Sequence, residues 1–599
     1  MEKHTSKLLT SNLQSRLSKI LLLFVLLALS VSAYADVITS NGTGKYVITG
    51  DDTWGLSMQN ETVSSIAVNK GANLALRWSD SVSYTVGNIY GDGSLEIYGG
   101  GLLTGEWAGD VSGGQRALYE VYGVKSIKNI TLSASGDLPG MFDFYAFPYV
   151  RDYTYKSMSF ADKNFSAENV RLTSASDASC NFYSNNLRNN NDVTVNGGDS
   201  VSVKNCDFAV VGGGNIYDAS MAVNGDSSIT VSDSTVKNDS LSHSLGYTVG
   251  SISGGAFVTT SSKNRASYTL SGKSTITIKN VTVDSPESGV GELAVWGAGH
   301  SYFMGDSSEG TAISEIGRSS ISLEGIHFTG HEKPTMIFVW GGGVASTLRG
   351  GDLGKYVQTL GRAENRITGL SEIVINGNGA FSGLANGYIF CGGVVIGERA
   401  VSTVGSARLT FKDIDMGAGY KEFAGIISGQ GQRNEYLSDG TPNGVSDYTE
   451  SVLGDSVLVL DNVKADISSN DVNVKYFDEI VLKNNTAVKM TTFDSDVKKV
   501  TISGTWSSAN GSVDAVTFNR AVENRSVIRI TVDADAAASG VTKAAWSDDG
   551  MKLIVYTSNV NPTPTPAPSD GSSGGGGCDA GVGALAIFAL AGLFIVKKS

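Results

Sequence analysis

Cysteine, histidine and proline are all scarce in this 599-residue chain, which has 4 Cys, 5 His and 9 Pro. Cys180, Cys206 and Cys391 fall in the body and Cys578 near the C-terminus, too few for the disulfide framework that staples small secreted domains. Core packing must therefore hold the fold. His327 and His331 form an H-x-x-x-H pair, but the region reads as a strand and the turn after it, where that spacing does not aim two imidazoles at one ion. His243 and His300 read as loop or strand-edge residues. There is no G-x-S-x-G elbow, P-loop or H-E-x-x-H, and no G-G-x-G-x-D calcium repeat. Asp51-Asp52 and Asp533-x-Asp535 read as solvated acidic loops. No metal, cofactor or catalytic residue is expected. Charge is sparse as well: 17% of residues are charged and the net charge is −14, which becomes −17 without residues 1–35 and their four Lys/Arg and one Glu. With no basic stripe interleaved with aromatics, nucleic acid is excluded as a partner.

What the chain does have is glycine, 74 residues of it, together with an ordinary 41% hydrophobic fraction. It is too long for one compact core, so several cores or one repeat must follow. A repeat is present: apolar-x-apolar-x-[Asn/Asp/Gly]-y-x-apolar recurs at 165–172, 201–208, 229–236, 276–283, 321–328, 409–416 and 458–465, with weaker copies from Leu95, Ile373 and Ile480. Alternation at period two makes each half a β-strand with one buried face. The phase breaks at Asn169, Asn205, Asp233, Asn280, Gly325, Asp413 and Asn462, residue types that tolerate left-handed backbone and so mark a corner. A row of strand-corner-strand units describes an all-β fold, an elongated parallel β-helix (β-solenoid) with loop excursions, plus a C-terminal transmembrane sorting helix. The competing string of β-sandwiches needs roughly 100 residues per module, about twice the repeat.

Leu458 to Ile480 spans 22 residues, one coil, whereas Ile229 to Ile276 and Ile276 to Ile321 span 47 and 45 and read as two coils each. The intermediate strands would be 247–250, 293–297, 337–341 and 388–392, which end in glycine runs. Variable excursions at 259–267, 346–365 and 429–455 are then expected to leave from one side, where extended binding surfaces sit. Residues 36–60 should cap the open strand edges. Cys180 and Cys206 lie 26 residues apart, so vertical stacking would bring them within disulfide range; otherwise they are small buried hydrophobes.

Both termini carry addressing signals. Lys3, Lys7, Arg16 and Lys19 precede an apolar run at 20–29 and then Ala33-Tyr34-Ala35, the three parts that signal peptidase requires, with cleavage expected between Ala35 and Asp36. At the other end 561–568 holds four of the nine prolines, an extended polyproline spacer. Next come 569–573, then Gly574, Gly575, Gly576, Gly577 and Cys578, an apolar segment at 580–596 and Lys597-Lys598. That order reads as a helix stopping in a membrane with its lysines on the cytoplasmic side.

Over 571–599 the Gly run, single Cys, apolar helix and basic end resemble the Synergist-CTERM class of sorting signals. The resemblance implies recognition by a dedicated intramembrane sorting protease, processing at the Gly574 to Cys578 junction and transfer to the cell surface. The body resembles autotransporter passenger domains in its Gly/Ser/Asn-rich β repeats, but has no C-terminal β-barrel. Five regions are expected: signal peptide 1–35, N-terminal cap and first coils 36–110, β-solenoid repeats 111–558, linker 559–577 and sorting segment 578–599.

Two functions fit such a body. One is a non-catalytic adhesin or structural rod of the bacterial cell envelope that meets glycans or host and extracellular surface proteins. The other is a polysaccharide lyase or glycoside hydrolase on the same fold, although the Asn-Thr-Asp, Gly-His-Gly and Arg-x-Lys signatures of polygalacturonases are missing. The first is preferred. Trp296, Trp340 and Tyr388, placed alike in successive units, are candidate ligand contacts that would stack on sugars, against the alternative of stacking coil on coil.

Overall fold

The computed structural model describes residues 44–558 with interruptions, the longest at 100–116, 148–156, 238–250, 349–360 and 434–448, and its side chains from Ser126 onward. Residues 1–43 and 559–599 lie outside it. With them lie Ala33, Ala35 and Asp36, the Gly574 to Cys578 junction and the apolar segment 580–596. Among the described residues no helix is long and apolar enough to cross a membrane.

The chain is nearly all β, and its repeats pair in parallel one upon the next. Ile229 lies opposite Ile276, Ile276 opposite Ile321, Ile321 opposite Ile373 and Ile373 opposite Leu409. Two residues on, an inward column runs Ile127, Ala167, Val203, Val231, Ile278, Leu323, Ile375, Phe411, Leu460, Leu482 and Ile502. All are buried and belong to one continuous core. Period-two alternation puts these side chains on one face, and parallel pairing stacks them at about the 4.8 Å strand spacing. This is a parallel β-helix.

The expected coil length needs correction. Ile229 pairs with Ile276 directly, so the 47-residue unit is one coil and not two. Gly291–Trp296, Thr335–Trp340 and Asn386–Phe390, expected as separate coils, are a second side of the same turns and stack on one another. Coil length is free because only the paired strands are constrained: lengthening a loop costs little, growing with the logarithm of its length.

The corners are where the pattern breaks. Asn129, Asn169, Asn205, Asp233, Asn280, Asp413, Asn462 and Asn484 have φ between 51° and 56°, and Gly325 and Gly504 have 65° and 68°. Side chains link these corners from coil to coil: Asn169 Nδ2 donates to Asn129 Oδ1 at 2.6 Å, Asn280 to Asp233 at 3.1 Å and Asn462 to Asp413 at 2.8 Å. The same residue thus relieves the left-handed strain and satisfies its neighbour.

Cys180 and Cys206 are free thiols, both buried. They do not share a column: Ala209 N–H donates to the Cys180 carbonyl, whereas Cys206 Sγ accepts from Val170 N–H below and Cys206 N–H donates to Ser234 Oγ above. Spacing misled here because these coils measure 28 and 36 residues, from Val203 to Val231 and from Ala167 to Val203, so 26 residues is not one turn.

At the first described coil, Gly44–Ile48 and Asp52–Trp54 already pair in parallel with the strands that follow; the rest of the expected 36–60 cap lies outside the described residues. The other end closes by a device the sequence reading did not anticipate. After Val532, Asp533 caps the short helix Ala534–Ala538, accepting from Ala536 N–H at 2.9 Å. The chain then returns as Val541–Trp546 and Lys552–Thr557, which pair antiparallel with each other, and Lys552–Thr557 also pairs antiparallel with Ser512–Phe518. Reversing direction ends the parallel stack instead of leaving its edge as a template for another chain.

Candidate functional site

Gly291–Trp296, Thr335–Trp340, Asn386–Phe390 and Ala424–Ser428 form one side of successive coils. Alternation sends Leu293, Val295, Ile337, Val339, Ile389 and Ile427 into the main core. It sends Ala294, Trp296, Phe338, Trp340, Tyr388 and Phe390 to the opposite face, where with Val344 and Val394 they build a second apolar cluster. A stretch apolar on both faces signals a strand covered on both sides.

The three candidate contacts meet here, but not as a single ladder. Trp296 stacks on Trp340 with centroids 5.9 Å apart and planes 2° from parallel, and the next residue in that column is Phe390. Tyr388 occupies the neighbouring column, stacked on Phe338 at 5.1 Å and 9°. Rings that lie face to face along the stack spend one face each on the neighbour, and sugar stacking needs a free face. Trp296 is only 6% exposed, and Trp340 and Tyr388 are half-buried. Neither indole N–H of Trp296 or Trp340 finds an acceptor among the described residues. The aromatic pairs thus join coil to coil.

The elbow Gly297-Ala298-Gly299 turns the chain and sets His300 beside Trp296, 5.7 Å between centroids and 82° between planes. His300 is fully buried, contrary to its reading as a loop or edge residue, and Nε2 lies 2.8 Å from Ser346 Oγ. Burial holds its imidazole down to about 3, so it is neutral at ordinary pH. Glu292, on the outer face two residues before Ala294, is 4% exposed, and burial lifts its carboxyl to about 7. Nearby, Glu364 is pinned between Arg362 and Arg366, while Ser301 donates to Asn365 Oδ1 and to the Glu364 carbonyl.

A serine hydroxyl against a neutral imidazole has the composition of an activated nucleophile. Both Ser346 and His300 are wholly buried, which leaves a substrate carbonyl no approach, and the pair reads as an internal hydrogen bond. His327 is exposed, whereas His331 and His243 lie outside the described residues. No group of three or more His, Cys, Asp or Glu could hold a metal ion among the described residues.

The feature that sequence reasoning missed is inside. Gly254, Gly297, Gly341, Cys391 and Gly429 form a column, each donating its N–H to the residue before the next member or its equivalent. Facing it, later in the same turn, is the buried column Ser274, Ser319, Ser371, Ala407 and Ser456. A Cβ added at Gly254, Gly297 or Gly341 would overlap the Ser274, Ser319 or Ser371 hydroxyl respectively. Only where the glycine becomes Cys391 does the serine become Ala407. The signal was legible as a Gly, or once Cys391, after each second-side strand and a Ser, or once Ala407, two residues before each pattern's first apolar position.

The excursions share an edge. Phe257–Thr260, His300–Met304, Val344–Leu348, Val394–Ile396 and Gln432–Arg433 stack in order, and 261–263, 305–308, 349–360 and 434–448 each follow one of them; these segments themselves lie outside the described residues. No family model, no curated protein and no solved structure matches this chain.

Proposed function

We propose that this chain is an exported bacterial surface protein that acts as a non-catalytic adhesin or structural scaffold, carried on a β-helix and sorted through its C-terminal tail. The observation that carries this reading is how the buried chemistry is used. His300, Ser346, Asn365 and the corner asparagines are each engaged with another coil or a neighbouring strand, and Glu364 with two arginines of its own strand, so these polar groups serve to build the stack. What is left for recognition is the edge from which the excursions depart, as in other solenoids. The basic, apolar and small-residue series at 3–35 and the Gly574 to Cys578 junction before an apolar segment support export, a dedicated intramembrane protease and an envelope location.

The test is a screen of the exported protein against immobilised glycans and extracellular-matrix proteins, with product release from the same glycans followed in parallel. Saturable binding without turnover is the expected result. Appearance of reducing ends or unsaturated sugars would overturn it in favour of a glycan-active enzyme. Cys578→Ala separates sorting from simple anchoring: loss of surface exposure is expected, and unchanged exposure would remove Cys578 from the processing step.

A further inference from the structure

We draw no further inference here: the strongest candidate, the outer aromatic face formed by Trp296, Trp340, Phe338, Tyr388 and Phe390 with the buried Glu292 and His300 at its margins, is an apolar sheet face for which nothing among the described residues shows what covers it.

Discussion

The coils between Val231 and Leu460 take 36 to 52 residues each, while those between Leu460 and Val532 take 20 to 30. The long coils carry an aromatic second side and the excursions; in the first short coil that side continues as Val472–Lys475, paired with Ala424–Ser428 but holding no aromatic residue, and the stack ends in an antiparallel closure. Yet the same inward column passes through both, with Leu323 and Leu482 alike fully buried. The β-helix thus fixes the register of a few inward positions and the angle of one corner, and leaves the remainder of each turn open to insertion.

If that separation is right, truncating the column should hurt equally wherever it is made. Leu323→Ala, in a coil of the long type, and Leu482→Ala, in a coil of the short type, should each cost about 2–5 kcal/mol in denaturant unfolding, the range for deleting a buried leucine side chain. A difference between the two beyond about 2 kcal/mol would mean that coil length enters core stability and would break the equivalence.

The paired glycine and serine columns sharpen the comparison on the long side. Gly341→Cys drives a Cβ into the Ser371 hydroxyl and toward the Cys391 carbonyl, and overpacking of this kind costs about 1–3 kcal/mol. Ser371→Ala in the same chain should recover part of the loss, because the protein already combines Cys391 with Ala407 one coil away. The double-mutant cycle measures this as a coupling of roughly 0.5 kcal/mol or more; strictly additive losses would show that the two columns do not compensate.

The same contrast explains what was legible beforehand. The corner asparagines, aspartates and glycines stood out because only those side chains relieve a positive φ, and that chemistry is local. Asn280 and Asn484 serve long and short coils with φ of 52° and 54°. Coil length, the Cys180 and Cys206 columns and the position of Tyr388 were misjudged because each depends on how many residues intervene before the chain returns to the same side, which local alternation does not encode. The C-terminal closure was missed for a related reason: a strand running backwards has the same period-two signature as one running forwards. Replacing either corner by Ala puts an ordinary side chain in left-handed backbone, at about 1–2 kcal/mol, while Gly should be milder. Equal penalties at Asn280→Ala and Asn484→Ala would show the corner to be independent of coil length.

A pH-dependent effect belongs to the margin of the outer face of the long coils, where two buried groups titrate in opposite senses. Glu292 has a folded pKa of about 7 against 4.5 for the free group. The folded state therefore holds its proton where the unfolded state has released it, and stability falls as pH rises from 4.5 to 7. His300 has a folded pKa of about 3 against 6.5. There the unfolded state takes up the proton first, and stability falls as pH drops from 6.5 toward 3. Between pH 4.5 and 6.5 the two slopes, each at most about 1.4 kcal/mol per pH unit, oppose each other and nearly cancel in the wild-type protein. Glu292→Gln should remove one arm: relative to wild type, the variant gains stability as pH rises across this window. His300→Gln should do the reverse, gaining relative to wild type as pH falls. Denaturant unfolding of the three proteins at several pH values between 4.5 and 7 reads the differences. Parallel curves for the wild type and Glu292→Gln would mean that the Glu292 carboxyl is ionised in the folded protein, and that the outer face of the long coils is wetter than its packing implies.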